Sequence, residues 1–445
     1  MNQTKLSISI TLCCIATILS CCSTEEPFSI ENKNSSETPS VNLGKRTPTE
    51  AIQLAIDSHQ ALYGEDSSSS RSSKGLIDIS TSPIKTISSN PTSRATIPDT
   101  CLYVVNFAND GGFAIIAADR NCDDVLAVTE SGHYDPEAGT DNPGLQIFME
   151  RAVGYASEMA ERNSVAASPI ETLPTPQGIE LTQHKEYDDT IYTTNIPMLV
   201  RTAWGQGNGW DEDNFPEGSL FKKNGLCGCA TIAIAMAIAF LEYPAVIGAT
   251  SDTQSFSPDW KNIKLHKAYK SETYIYPCSP DRDHPYHKQI SQLCRAIGNM
   301  GNAVQHGTIG NGSTSMYTND IITALGKLGF NVTGWTDFKQ FMCPPAYANA
   351  ITIVTGVSTT NPQVGHCWII DGEKGGNIRH HYATKTGSQP WVDTILWTRP
   401  MGTMIHMNWG WYGNGNGWFS KGAAAFQPKG YSNSYTSLQY VIIRK

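Results

Sequence analysis

Apolar and polar positions along this chain fall into a few readable patterns. "TPTEAIQLAIDSHQALYG" sets a Thr N-cap candidate before apolar residues at helical spacing, which predicts a helix from Thr49 to Tyr63. "CLYVVNFANDGGFAIIAADR" has two β-rich runs around "NDGG", a hairpin signal. "NPGLQIFMERAVGYASEMAER" repeats apolar residues at helical intervals and predicts a second helix. In "GLCGCATIAIAMAIAFLEYP" the apolar run is short of the roughly 20 residues a bilayer needs and suits a buried helix instead. Thr231, Ile234, Met236, Ile238 and Leu241 would face a core, and Pro244 marks the stop. "HCWIIDGE" and "MIHMNWGW" are the strongest strand-like runs of the C-terminal half.

Segments without such periodicity divide the chain. Residues 65–98 are Ser-rich and read as a long mobile insertion. Residues 164–192 mix Pro with polar residues and read as a linker. The expected organisation is a small α+β unit, a hinge and a larger α+β domain of about 250 residues. The 445 residues carry a formal charge of -9, with no basic patch to suggest nucleic acid. At the N-terminus, Lys5, the apolar segment from Leu6 to Leu19 and a small-residue end make an export signal, to be excluded from the fold. Its "ILSCC" ending resembles a bacterial lipoprotein signal, which implies Cys21 as the lipidated residue, with Cys22 as the second candidate. An ordinary cleaved signal peptide is the alternative. Residues 22–44, rich in Ser, Thr, Glu and Asn, read as a tether.

Two cysteines stand at the mouth of the apolar helix. Cys229 falls in its first turn, where backbone N–H groups and the helix dipole favour negative charge and activate a thiol. Cys227 falls in the approach loop and is the weaker candidate. A packed core cysteine is the competing reading for both. A nucleophilic cysteine needs a base, and two histidines stand beside strand-like runs: His366, after Gly365, and His406, two residues before Asn408. Pattern favours His366 only modestly. Zinc is not expected, because no second CxxC or HxxxH pair accompanies Cys227 and Cys229; no other metal or cofactor is implied. An exported chain can form disulfides among Cys101, Cys122, Cys227, Cys229, Cys278, Cys294, Cys343 and Cys367, in a connectivity that sequence does not reveal.

"GCATIAIAMA…YP", "GHCWIIDG", "HMNWGWYGNGNGWF" and "WGQGNGWDEDNF" together resemble the streptopain family of bacterial cysteine peptidases, a papain-like group. "LYVVNFANDGGFAIIAADRNCDDVLAVTESGHYDP" resembles that family's pro-domain, so the likeness runs from about Thr47 to the C-terminus. It implies an α+β fold, a papain-like peptidase domain (193–445) behind a small α+β inhibitory pro-domain (45–165), with a processing linker at 166–192. It further implies Cys229 as nucleophile and His366 as general base and acid. Gln206 and the Cys229 N–H would form the oxyanion hole, Asn408 would orient the imidazole, and Trp409 would cover the pair. Gly365 and Ser315, or else Ser313, would line the substrate cleft, and His406 takes a structural role. The implied activity is an endopeptidase acting on proteins or peptides, made as a zymogen, exported, and held by a lipid at the outer membrane or cell surface unless processing releases it. A binding lipoprotein on a silent peptidase scaffold, or a transferase using the same thioester, stays open. Cys227 and Cys367 depart from the family pattern, and either is placed to form a disulfide that restrains the cleft or to trap Cys229 in an inactive oxidised form. The long stretch "GGNIRHHYATKTGSQPWVDTILWTRP" is expected at the active-site end.

Overall fold

The N-terminal half builds α1 (Pro48–Tyr63), β1 (Ile79–Ser88), β2 (Thr100–Phe107), β3 (Phe113–Ala117), β4 (Val125–Thr129) and α2 (Pro143–Asn163). After β5 (Gln183–Ile196) come α3 (Cys229–Leu241), α4 (Trp260–Ile263), the short β6 (Tyr269–Lys270) and β7 (Ile275–Tyr276), and α5 (Pro285–Met300). The chain continues with β8 (Val304–Thr308), β9 (Asn311–Ser315), α6 (Thr318–Lys327), β10 (Thr336–Asp337), β11 (Ala350–Val357), β12 (Gly365–Lys385) and β13 (Val392–Asn408). It ends with β14 (Gly417–Ser420), α7 (Lys421–Ala425) and β15 (Gln439–Arg444). This computed structural model describes residues 44–63, 79–88, 100–163, 183–207, 220–264, 269–270, 275–276, 285–308, 311–385, 388–427 and 438–445. The export signal, Cys21, the tether up to residue 43, residues 164–182 and Cys278 lie outside the described residues.

Local chemistry sets the helix starts. Thr47 and Glu50 form a capping box, the Glu50 N–H donating to Thr47 Oγ1 at 3.3 Å and the Thr47 N–H to Glu50 Oε2 at 2.7 Å. Thr47 is therefore the cap, and the helix starts at Pro48, one residue before the expected Thr49. Asn142 Oδ1 accepts from the N–H groups of Gly144 (3.0 Å) and Leu145 (3.2 Å), and Pro143 occupies the first helical position of α2. Residues 230–239 and Leu241 of α3 are buried all round, as expected of a central core helix.

Strand pairing joins the two halves. One 11-stranded sheet runs β1-β2-β3-β4-β14-β13-β12-β11-β15-β10, with β5 paired to β12. The seam is β4 against β14, antiparallel, with Val128 opposite Trp418. Residues 79–88 of the Ser-rich stretch supply an edge strand, and residues 183–192 of the expected linker are zipped along β12. The 21-residue β12 changes partner on one edge, from β11 in its first part to β5 beyond Glu373.

Alternation along β12 assigns its two faces. Cys367 and Ile369 pack with α3, whereas Trp368 and Ile370 pack with α2 of the N-terminal domain. The stretch expected at the active-site end lies elsewhere. His366 and Asn408 both stand at the base of the β12–β13 hairpin, so the residues between them run outward along up to about 60 Å of ladder. There Asp189 of β5 pairs with Arg379, and His381 Nδ1 meets Asp393 at 2.9 Å.

Candidate active site

Cys229 opens α3, and the residue before it cannot carry a side chain. Gly228 caps the helix at φ 83°, and a Cβ there would lie 2.6 Å from the Thr314 carbonyl of β9. The β8–β9 hairpin is thereby pressed against the cysteine's turn. Ser315 and Ser313 sit exposed on that hairpin, with Ser315 Oγ 3.0 Å from His306 Nε2. Cys229 is half-buried, and burial pushes its thiol above the ordinary value. The backbone N–H groups of Cys367, Ala230 and Cys229 itself favour the thiolate but are outweighed.

Gln206 reaches this turn through backbone pairing. Its carbonyl accepts the Cys227 N–H at 2.8 Å, while Gly205 bridges Trp411. Tyr412 completes the clamp. Its hydroxyl accepts the Gly207 N–H at 3.1 Å, and its ring lies where any Cβ on Gly205 would fall, within 2.5 Å. Tyr412 itself holds a left-handed φ of 56°, a conformation that concentrates at functional sites.

His366 is buried on the opposite face of β12 from Cys367, and its Nε2 lies 2.8 Å from the Trp409 carbonyl. A carbonyl only accepts, so Nε2 carries the proton and Nδ1 keeps its lone pair. Burial pulls the histidine's pKa down to about 4, against the opposing effect of that hydrogen bond. The Asn408 side chain serves other groups: its amide donates to the Thr202 carbonyl at 2.9 Å, and its oxygen accepts the Gly410 N–H at 3.2 Å. The reason is strand alternation. Asn408 pairs with Ile369 and shares its face, whereas His366 lies on the other. Asn408 thus braces the turn, and the neighbouring backbone carbonyl holds the ring. Trp409 is fully buried, its Nε1 donating to the Gly415 carbonyl at 2.9 Å and its ring tilted against Trp368.

Among the described residues no hydrogen bond joins Cys229 to His366. The N-terminal domain covers the ring from the other side: a Cβ on Gly144 of α2 would lie 2.4 Å from Trp409 and 2.6 Å from His366. Gly365 is exposed beside the histidine, and a Cβ there would make only ordinary contacts, the nearest at 3.6 Å. His406 is structural, its Nδ1 2.6 Å from Asp371 Oδ1, which is equally buried. The seven described cysteines outside the signal are all free thiols. Cys227 is buried against the Cys294 thiol, and burial first and that neighbour next push its pKa up. Among the described residues no cluster of His, Cys, Asp or Glu is arranged to hold a metal ion.

The Trp409 carbonyl and Tyr412 escaped sequence reasoning. A backbone acceptor leaves no residue-type signal, and a left-handed tyrosine is visible only in dihedral angles.

A cysteine at the head of a central helix, set against a strand bearing histidine and preceded by an N-terminal domain that covers that histidine, defines a papain-like cysteine peptidase in precursor form. Residues 204–419 match the Peptidase C10 family, and residues 47–154 match the Spi protease inhibitor family. Streptopain of Streptococcus pyogenes is 22% identical over 345 residues, covering 72% of this chain and 73% of streptopain. Among solved structures, a prointerpain A fragment of Prevotella intermedia covers 81% of this chain and 97% of its own, at 18% identity and TM-score 0.48. Active interpain A of the same organism covers 57% and 95%, at 16% identity and TM-score 0.33. The chain belongs to the streptopain-like cysteine peptidases and carries their inhibitory N-terminal domain.

Proposed function

We propose that this zymogen matures into an exported, lipid-anchored endopeptidase in which Cys229 is the nucleophile and His366 the general base and acid. His366 Nδ1 takes the thiol proton, and the sulfur attacks a peptide carbonyl to form a C–S bond. The oxyanion is held between the Gln206 side chain and the Cys229 N–H. His366 then protonates the leaving amine, and water hydrolyses the thioester to return the free thiol. The observation that carries this reading is the Nε2 hydrogen bond to Trp409, which fixes the tautomer whose Nδ1 lone pair is the base. Asn408 supports the ring indirectly, through the turn it braces.

In the precursor the buried neutral histidine and the raised thiol are consistent with latency. Loss of the N-terminal domain would rehydrate the imidazole and let the thiolate–imidazolium pair form. Gly365 and the exposed Ser315 and Ser313 border the proposed cleft. Export and lipid attachment at Cys21 rest on the signal pattern alone. Replacing Cys229 by Ala in the full chain tests the core claim, with loss of self-processing and of protein hydrolysis by at least about 10⁴-fold expected. Hydrolysis near the original rate would remove Cys229 from the mechanism.

A further inference from the structure

Glu150, half-buried on α2 six residues beyond Gly144, is held by the peptidase domain rather than by its own. The Ser358 hydroxyl lies 2.8 and 2.9 Å from its two oxygens. Oε2 also accepts the Thr359 N–H (2.7 Å), the Thr359 hydroxyl (3.0 Å) and, more loosely, the Thr360 N–H (3.4 Å). Oε1 takes the Thr360 hydroxyl at 2.7 Å and, from α2 itself, the Gln146 amide at 3.2 Å. The 358–364 loop is pre-shaped around this carboxylate. The Ser358 N–H donates to the Val364 carbonyl at 2.8 Å, and the Asn361 N–H to Ser358 Oγ at 2.8 Å. Ser358 is fully buried and Thr359 nearly so.

Every donor but one belongs to the part that stays after maturation, and the carboxylate belongs to the part that leaves. Ser358, Thr359 and Thr360 will then present three hydroxyls and two N–H groups to solvent, all of them neutral donors. The loop runs straight into Gly365 and His366. Along α2, six residues separate Glu150 from the glycine that touches His366, or about 9 Å. An extended peptide covers that in about three residues.

We propose that the 358–360 loop is a carboxylate-binding subsite of the mature peptidase, occupied by Glu150 in the zymogen and by an acidic side chain of the protein substrate afterwards. This inference rests on the reading of Cys229 and His366 as the reacting pair, because that pair places the cleaved bond. The pocket binds through neutral donors, so it selects negative charge by hydrogen-bond direction and not by net attraction. It accepts Asp or Glu about three residues from the cleaved bond and ranks the isosteric Gln below them.

The test uses enzyme matured from the full chain and a peptide series in which Glu or Gln replaces each position up to four residues on either side of a common cleaved bond. One position is expected to favour Glu over Gln by about tenfold in kcat/KM, the effect of one charge-assisted contact. In Thr360→Val and Ser358→Ala enzymes that ratio should fall toward one. Equal cleavage of Glu and Gln peptides at every position would overturn the subsite, as would a preference that survives both substitutions. Full-length Glu150→Gln supplies an independent arm that needs no mature variant, because it should self-process about tenfold faster; an unchanged rate would show that the loop does not hold the carboxylate in solution. Failure of the catalytic reading is told apart by Cys229→Ala, which abolishes cleavage of the whole series only if that reading is right.

Discussion

The two faces of β12 differ in how long their cover lasts. On one, Cys367 and Ile369 lie under α3, which belongs to the same domain and remains there for the life of the enzyme. On the other, His366 and Trp368 lie under α2, which belongs to the inhibitory domain that the proposed maturation removes. On the proposed reading, the nucleophile Cys229 is thus built on the permanent side and the base His366 is hidden on the temporary one. Latency follows from that division without distortion of the catalytic helix. The precursor need only keep one ring dry.

Perturbing each face should separate the two roles. The largest effect is expected on the permanent side, where Gln206→Ala in the matured enzyme should lower kcat by about 10²–10³-fold with little change in KM. Steady-state kinetics would check this, and a pure KM effect would place Gln206 in substrate binding instead.

On the temporary side, acid is the sharper probe. The folded pKa of His366 is about 4 against an ordinary 6.5, so between those values the unfolded chain takes up a proton that the folded precursor refuses. Precursor stability should therefore fall by about 3 kcal/mol as pH drops from 6.5 to 4, then level off for this group. For Glu150, burial raises the pKa, but the bonds from Thr360, Ser358 and Thr359 together outweigh it and leave it lowered. Its contribution is present above the ordinary 4.5 and is lost as pH falls through the depressed folded value. Denaturant titrations across this range, with His366→Gln flattening the upper part of the slope, would show both.

A smaller change is expected from Gly144→Ala, which forces a methyl group against two buried rings and should cost the precursor about 1–3 kcal/mol. The matured enzyme, which lacks that residue, should be unaffected, and thermal unfolding of both forms would show the contrast. Smallest of all, Tyr412→Phe removes the acceptor of the Gly207 N–H and should lower kcat by about fivefold, for roughly 1 kcal/mol. In a Gln206→Ala background it should add almost nothing, and a full additional loss would separate Tyr412 from the glutamine.

Much of this was legible in the residues. The apolar run of α3, the helical spacing of α2, the hairpin around Asn109 and Gly112, and the strands holding His366 and Asn408 are all local patterns, and local patterns survive folding. Pairings between distant segments are not local. Nothing in "EYDDTIYTTNI" says that it will zip onto β12, nor that β4 will find β14, because either edge would satisfy the same alternation. Residue type makes Asn408 the expected partner of the imidazole. Pleat parity turns its side chain to the wrong face, and a carbonyl with no signature of its own takes its place.

The β4–β14 seam carries one last consequence. Cutting the connection between the domains does not by itself part them, since the strands stay hydrogen-bonded across Ala127–Thr129 and Gly417–Phe419. Once they separate, β14 becomes a bare margin whose amide and carbonyl groups invite any passing extended chain. The freshly activated peptidase would meet that hazard with the tool it has just acquired, because a stray strand drawn to that margin is also a potential meal.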